Sequence, residues 1–544
     1  MKKVWLVIIF TLGISLRLWR IGSVPHGFNA DEAAIGFNVY SLLETGQDEH
    51  GNPWPLHFES FADFKPGGYF YLALPFVALG GVNELMVRLP SLLCGIAACG
   101  LVYYLAKELN LKGASPLFPL LAFLLIVISP WQIHFSRGAW ETNVATTLII
   151  LGVWLFLKAG RRKKYFYYFL SVAAFIFSTY VYHSARVVAP LLLGFLVFTE
   201  KKLFWKKIKL SGSLFLVALL LSLPLVMSLL SPAVFSRFSG VGVTSDIGPF
   251  WQVQRLRGEH KLSVNDWWVR LFHNRPLAYG LEILKNWLLH FEADFLFLKG
   301  DSIPRSHAPG MGQFYYLDLV FCLFGLYFSF REKDRQVRLL LFWLVVAPIP
   351  AALTFQSPHA LRAHGLLVPF LLLTAYGLDQ VISLLKQREK AFQRGMLFLI
   401  TGLYLCQLLF FAKTYFINYS SRAPEAWEFG MKQTVGFLEA RKKDYSRIYV
   451  TDRFDQPYIL FLFYSKYSPE KFQAEGKLTA RDKFGFSTVR DFGKYHFETI
   501  DWEQLKQKEN ILVVGTPEEI PEEVPPLEQI YFENGQVAFK IVEI

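Results

Sequence analysis

Gly27-Phe-Asn-Ala-Asp-Glu-Ala-Ala-Ile-Gly36, continued to Asp63-Phe-Lys-Pro-Gly67, is the stretch on which the reading of this chain turns. It follows an apolar segment directly and sets the adjacent carboxylates Asp31 and Glu32 close to a membrane surface. Asp63 and Lys65 precede another apolar run, so both ends of the loop return to that surface. Ionisable groups held at a bilayer face are costly to desolvate, and such residues point to function. The plain alternative is a solvated loop in which Asp31-Glu32 caps a helix beginning near Ala33.

The composition agrees with a membrane setting. Of 544 residues, 53% are hydrophobic and only 18% charged, against roughly 25% charged in soluble domains. Mean hydropathy is +0.31, and repeated apolar runs of about 17–22 residues indicate a polytopic α-helical membrane protein. The formal charge of +12 gathers in short clusters between apolar runs, where it acts as a topology signal. No nucleic-acid motif accompanies it. Cys94, Cys99, Cys322 and Cys406 all lie inside predicted spans and show no metal-site spacing. The N-terminal apolar run to Trp19 lacks a small-x-small cleavage site and reads as a retained span.

About eleven transmembrane helices are predicted, near 4–19, 85–106, 117–134, 142–158, 165–181, 187–199, 210–230, 314–330, 338–355, 364–385 and 395–415. The run 69–79 suits a helix at the interface. Basic clusters (Lys2-Lys3, Lys107 with Lys112, Arg161 to Lys164, Lys201 to Lys209, Arg331 to Arg338, Lys386 to Arg394) place the N-terminus and alternate loops in the cytoplasm of a multi-pass cell-membrane protein. Outer loops then fall at 20–84, 135–141, 182–186, 231–313 and 356–363. Two parts result: a membrane module over 1–415 with long outer loops 20–84 and 231–313, and a small extracytoplasmic α/β domain over 416–544.

Three outer loops carry a lone arginine against the charge gradient: Arg137, Arg186 and Arg362. An anionic ligand would hold them there, because a guanidinium fork matches phosphate oxygens; snorkelling to headgroups is the plain alternative. His183 lies beside Arg186. Loop 231–313 ends in the Pro/Gly-punctuated Asp301-Ser-Ile-Pro-Arg-Ser-His307, with one acid, one arginine (Arg305) and one histidine; His307 reads as a phosphate or other ligand contact, a metal ligand, or an ordinary polar loop residue. In the tail, strands are predicted at Arg447–Thr451, Ile511–Gly515, Gln529–Glu533 and Gln536–Val542, the last two joined by Asn534-Gly535. Helices are predicted at Glu425–Arg441 and near Pro457–Tyr467. No Gly-rich phosphate loop or nucleophile elbow occurs there, so this part reads as a binding or placement element.

As an ordered set, Asp31-Glu32, Lys65-Pro66, Arg88-Leu-Pro-Ser91, Ser129-Pro-Trp131 with Ser136-Arg137, the loop around Arg305 and His307, and His359-Ala-Leu-Arg362 resemble a family. It is the bacterial polyprenyl-phosphate-sugar-dependent glycosyltransferases of the C-type fold, the protein O-mannosyltransferase-like and aminoarabinose-transferase-like group. The resemblance implies a polyprenyl phosphate carrying one sugar as donor, an acceptor glycan, lipid or protein hydroxyl, and inversion at the anomeric carbon on the outer face. It implies Asp31 as base, with Glu32 tuning it or orienting the acceptor. Lys65, Arg137, Arg186 and Arg362, with His183, Arg305 and His307, would meet the donor phosphate. Where aminoarabinose-transferring relatives carry Glu before Lys-Pro, this chain has Phe64. A divalent metal is therefore left open, with Asp63 or Glu59 as substitutes, and the cofactor requirement is unknown. A transporter or flippase of polyprenyl-linked glycans, or a non-catalytic binder, is the alternative. Charges at the outer ends of spans and the lack of repeated halves speak against transport.

Overall fold

The computed structural model describes residues 2–229, 242–260, 265–332, 334–482 and 485–544. The start of loop 231–313 and Lys333 of one basic cluster lie outside them. Helix dominates, and each of the eleven predicted apolar stretches is helical along most of its length. Among the described residues six helices are long and apolar enough to cross a membrane: Glu84–Leu109, Glu141–Arg162, Ile208–Ser228, Arg335–Ala352, His364–Leu385 and Lys390–Phe416. Others are shorter, among them Phe166–Val181 and Ala185–Thr199. The stretch 117–134 is cut at Ser129, whose extended backbone separates Phe118–Ile128 from Pro130–Phe135. Large apolar side chains such as Phe215 and Phe398 stand exposed on the long helices, as a lipid solvent allows.

The chain divides into two compact units. The first comprises Met1–Gly13, Ala97–Ile133 and Ala145–Leu408. At its centre helix Tyr316–Glu332 packs along helix Leu367–Leu385. A Cβ on Gly325 would strike the Leu373 carbonyl, and one on Gly377 the Phe321 carbonyl. Paired glycines thus let the two backbones touch, the way helices associate where no hydrophobic effect drives them together.

The second unit comprises Ile14–Ile96, His134–Val144 and Leu409–Ile544. Helix Ala30–Thr45 is its hub and packs on Gly68–Gly80, Pro457–Ser465 and Pro469–Glu475. Strands β1 (His57–Ser60) and β2 (Asp63–Pro66) form an antiparallel hairpin with Phe58 opposite Lys65. Strands β3 (Arg447–Val450), β4 (Asp491–Phe492), β5 (Tyr495–Phe497), β6 (Ile511–Gly515), β7 (Glu528–Tyr531) and β8 (Val537–Glu543) make one six-stranded sheet in the order β4-β5-β3-β6-β8-β7. The central β5, β3 and β6 run parallel and the outer pairs antiparallel. Ile511, Val513, Val542, Tyr449, Ile500 and Ile520 fill one side of it. The helix predicted over Glu425–Arg441 is interrupted: Glu428 and Gly430 adopt positive φ, leaving a 3-10 turn at Glu425–Trp427 before helix Met431–Arg441.

Candidate functional site

Asp31 and Glu32 occupy the first turn of helix Ala30–Thr45, where the helix dipole favours negative charge. The local sequence builds this terminus. The Asn29 side chain accepts from the Glu32 N–H (3.1 Å), and the Glu32 carboxylate accepts in return from the Asn29 N–H, a reciprocal capping box. Glu428 supplies a further acceptor, taking the Ala30 N–H at 3.1 Å. Just before the helix, Gly27 has φ +88° and lies against the Trp427 carbonyl, where a Cβ could not fit. Phe28 N–H donates to that carbonyl at 2.8 Å.

The two neighbouring carboxylates meet opposite fates. Glu32 is buried and fully engaged: Arg88 donates Nε to Oε1 (2.8 Å) and Nη2 to Oε2 (2.7 Å), and Ala139 N–H donates to Oε1 at 2.7 Å. A planar guanidinium on a carboxylate is a strong, directional pair. Asp31 instead leaves 42% of its side chain exposed and pairs with Lys65 at 2.5 Å. The β1–β2 hairpin delivers Lys65, which is itself buried. Burial pulls the Lys65 pKa down, but Asp31, Glu141 and Asp63 outweigh it and hold it above the ordinary value.

Arg137 is buried with no exposed surface, and its guanidinium donates to the carbonyls of Leu16, Arg17 and Val24 while lying over the Phe416 ring. The side chain expected to meet phosphate is engaged in holding the chain itself. A buried guanidinium needs such acceptors whether or not a ligand is near.

The remaining expected residues belong to the first unit. Arg186 Nε donates to the Thr179 carbonyl (3.3 Å), and His183 lies against the Tyr182 ring. Arg362 donates Nη1 to Thr354 Oγ1 at 2.7 Å and is half-buried. Around it stands a cluster that the sequence did not announce. Asp301 is buried and accepts from Ile303 N–H (2.9 Å) and Ala360 N–H (2.5 Å). His290 Nε2 accepts from His359 N–H at 3.1 Å, so its proton sits on Nδ1, which donates to the Asn286 carbonyl at 2.8 Å. Burial lowers the His290 pKa to about 4. Burial, with Arg362, His290 and Arg305 nearby, also drives His359 well below its ordinary value. The 3.6 Å approach of neutral His359 to Asp301 is therefore not an ion pair. Arg305 sits in a 3-10 turn at Pro304–Ser306, and the ring of His307 packs on Gly300. The structure thus groups Arg305 and Arg362 with His359, Asp301 and His290.

Among the described residues no group of three or more His, Cys, Asp and Glu side chains is arranged to hold a metal ion. Asp63 and Glu59 do not complete such a set, and no step below is routed through a metal.

Sequence reading also passed over the role of Arg88, whose Arg-Leu-Pro-Ser setting was recognised, and that of Glu428. Residues 56 and 398 positions from their partners leave no local signal.

Residues 65–227 match the family model described as dolichyl-phosphate-mannose-protein mannosyltransferase. No curated protein matches the chain in sequence. Among solved structures, ArnT from Cupriavidus metallidurans bound to undecaprenyl phosphate shares 12% identity at TM-score 0.50, over 99% of this chain and 96% of that one. Its apo form gives TM-score 0.50 at 11% identity, over 95% and 92%. The archaeal oligosaccharyltransferase AglB from Archaeoglobus fulgidus, in complex with an inhibitory peptide and a dolichol-phosphate, gives TM-score 0.53 at 13% identity. The likeness to AglB takes in 85% of this chain, which spans 63% of AglB's length. The family-model match takes in the Lys65 region and the helices that follow it, and the fold is similar to that of ArnT along nearly the whole chain.

Proposed function

We propose that the protein transfers one sugar from a polyprenyl-phosphate donor to an acceptor hydroxyl at the outer face of the membrane, with inversion. In this reading 1–415 is the membrane module and 416–544 an extracytoplasmic part that helps to place the acceptor. One observation carries the chemistry: of two adjacent carboxylates, Glu32 is locked by Arg88 while Asp31 stays accessible and meets a buried lysine.

Asp31 is the base. It takes the acceptor hydroxyl proton as that oxygen bonds to the anomeric carbon, and the bond from that carbon to the phosphate oxygen breaks, releasing polyprenyl phosphate. Lys65 meets the donor phosphate and stabilises the charge that develops there. A phosphate drawing Lys65 away from Asp31 would also leave that carboxylate a stronger proton acceptor, coupling donor arrival to activation of the base. Glu32 acts through position: tied to Arg88 and Ala139, it fixes the helix start that presents Asp31. On sequence grounds Arg362, Arg305, Arg186, His183 and His307 of the first unit are also read as contacts to a lipid-linked phosphate.

The test uses purified protein in lipid with a panel of radiolabelled polyprenyl-phosphate sugars and candidate acceptors, with and without chelator, scoring release of polyprenyl phosphate. Release from one donor that disappears in Asp31→Asn, with donor binding kept, is the expected result. Normal turnover in Asp31→Asn removes Asp31 as base.

A further inference from the structure

We propose that His290 and Asp301 are positioning residues for Arg362, holding the backbone of the 357–363 loop so that its guanidinium is oriented before a lipid-linked phosphate arrives. The inference rests on the reading of Arg362 as a phosphate contact and concerns how that contact is made.

The argument begins with where the buried polar groups of this region spend their hydrogen bonds. Three side chains of the 286–301 segment (Asn286, His290 and Asp301) are all buried. Each reaches the main chain of residues 352–360. Asn286 Nδ2 donates to the carbonyls of Ala352 (3.4 Å) and Thr354 (3.2 Å). His290 accepts from His359 N–H at 3.1 Å and Asp301 from Ala360 N–H at 2.5 Å. Consecutive amides, 359 and 360, are thus held by two different buried acceptors. Two residues later comes Arg362, braced by Thr354, whose hydroxyl in turn donates to the Ala351 carbonyl at 2.7 Å.

Loops that carry ligand contacts are ordinarily the mobile part of a fold. Asp301, which also takes the Ser302 hydroxyl at 3.5 Å and feels the charge of Arg362, is an expensive way to fix two amides, because a buried carboxylate must stay desolvated. The expense is understandable where a bidentate guanidinium–phosphate contact must be ready-made, since an oriented fork surrenders little side-chain freedom on binding. Only the neutral Nδ1–H form of His290 can accept from His359 N–H.

The experiment uses the full chain in lipid nanodiscs and reads two quantities: affinity for radiolabelled polyprenyl phosphate, and hydrogen exchange of peptides covering 357–363. Arg362→Ala is expected to weaken the lipid phosphate about tenfold or more, the scale of one charged hydrogen bond. His290→Phe and Asp301→Asn should each weaken it several-fold and speed exchange in 357–363. His290→Gln should restore both, because its amide oxygen can accept from the same N–H. Added to Arg362→Ala, either substitution should weaken binding no further, since the loop then orients nothing. Faster exchange with unchanged affinity, or losses that simply add to that of Arg362→Ala, overturns the inference while leaving Arg362 as a phosphate contact. Unchanged affinity in Arg362→Ala overturns both, and is recognised from that single variant. Should His290→Phe fail to fold, the Asp301→Asn and Arg362→Ala cycle decides alone.

Discussion

The corner around Asp31 and the loop around Arg362 use buried charge in opposite ways. At the first, a buried cation, Lys65, faces a carboxylate that stays open to solvent, and the locking is done next door by Glu32 and Arg88. At the second, the buried groups, His290 and Asp301, grip backbone amides while the charged head that would meet a ligand is half-exposed. In both, the residue suited to chemistry or recognition is the less buried member, and its more buried neighbours make structure. Burial alone is therefore a poor guide to which polar residue acts.

Substitutions can break or sharpen this contrast. The largest effect is expected for Asp31→Asn, which should slow transfer about 10²–10⁴-fold with donor affinity kept; single-turnover assays on pre-bound donor check it. Arg88→Leu should cost roughly 3–5 kcal/mol by leaving Glu32 buried and unpaired, whereas adding Glu32→Leu should recover much of it; thermal unfolding of the detergent-solubilised pair of variants decides. If Arg88→Leu instead leaves stability intact and abolishes turnover, the locked and acting members of that corner have been misassigned. A smaller effect distinguishes the second region by pH. Burial penalises the imidazolium of His290, so it protonates near 4 instead of near 6.5. Below that point Nε2 donates and His359 N–H loses its acceptor. Affinity for polyprenyl phosphate should therefore fall as the pH drops through about 4 in the wild type, while His290→Gln lacks that step. Asp301, Arg305, Arg362 and His359 face the same site and are common to both proteins, so the difference between the two curves belongs to His290. The smallest effect is Asn29→Ala, which removes the cap of the Asp31 helix for about 1 kcal/mol, visible as a lowered melting temperature.

How much of this was legible depends on distance along the chain. Asp31, Glu32 and Lys65 stand out because charge beside long apolar runs is rare, and the apolar stretches are helical where their composition requires. Periodicity could not say where a helix breaks: the Ser129 interruption and the positive φ at Glu428 and Gly430 depend on packing, not on local propensity. Arg137 marks a limit of such reading, because a lone arginine in a short loop looks alike whether it meets a phosphate, a headgroup or the three carbonyls it donates to. The His290 and Asp301 contacts span 69 and 59 positions, beyond any motif. Arg88 sat in a recognised motif whose partner, Glu32, had been assigned to chemistry.

The bonds that close the start of the Asp31 helix bear on timing. Phe28 and Ala30 donate to Trp427 and Glu428, almost 400 positions later. A chain emerging from the ribosome has inserted every candidate span before those two acceptors exist. The corner that presents Asp31 is consequently among the last parts to be completed, and a nascent or truncated chain ending before residue 427 carries the carboxylate without the frame that aims it.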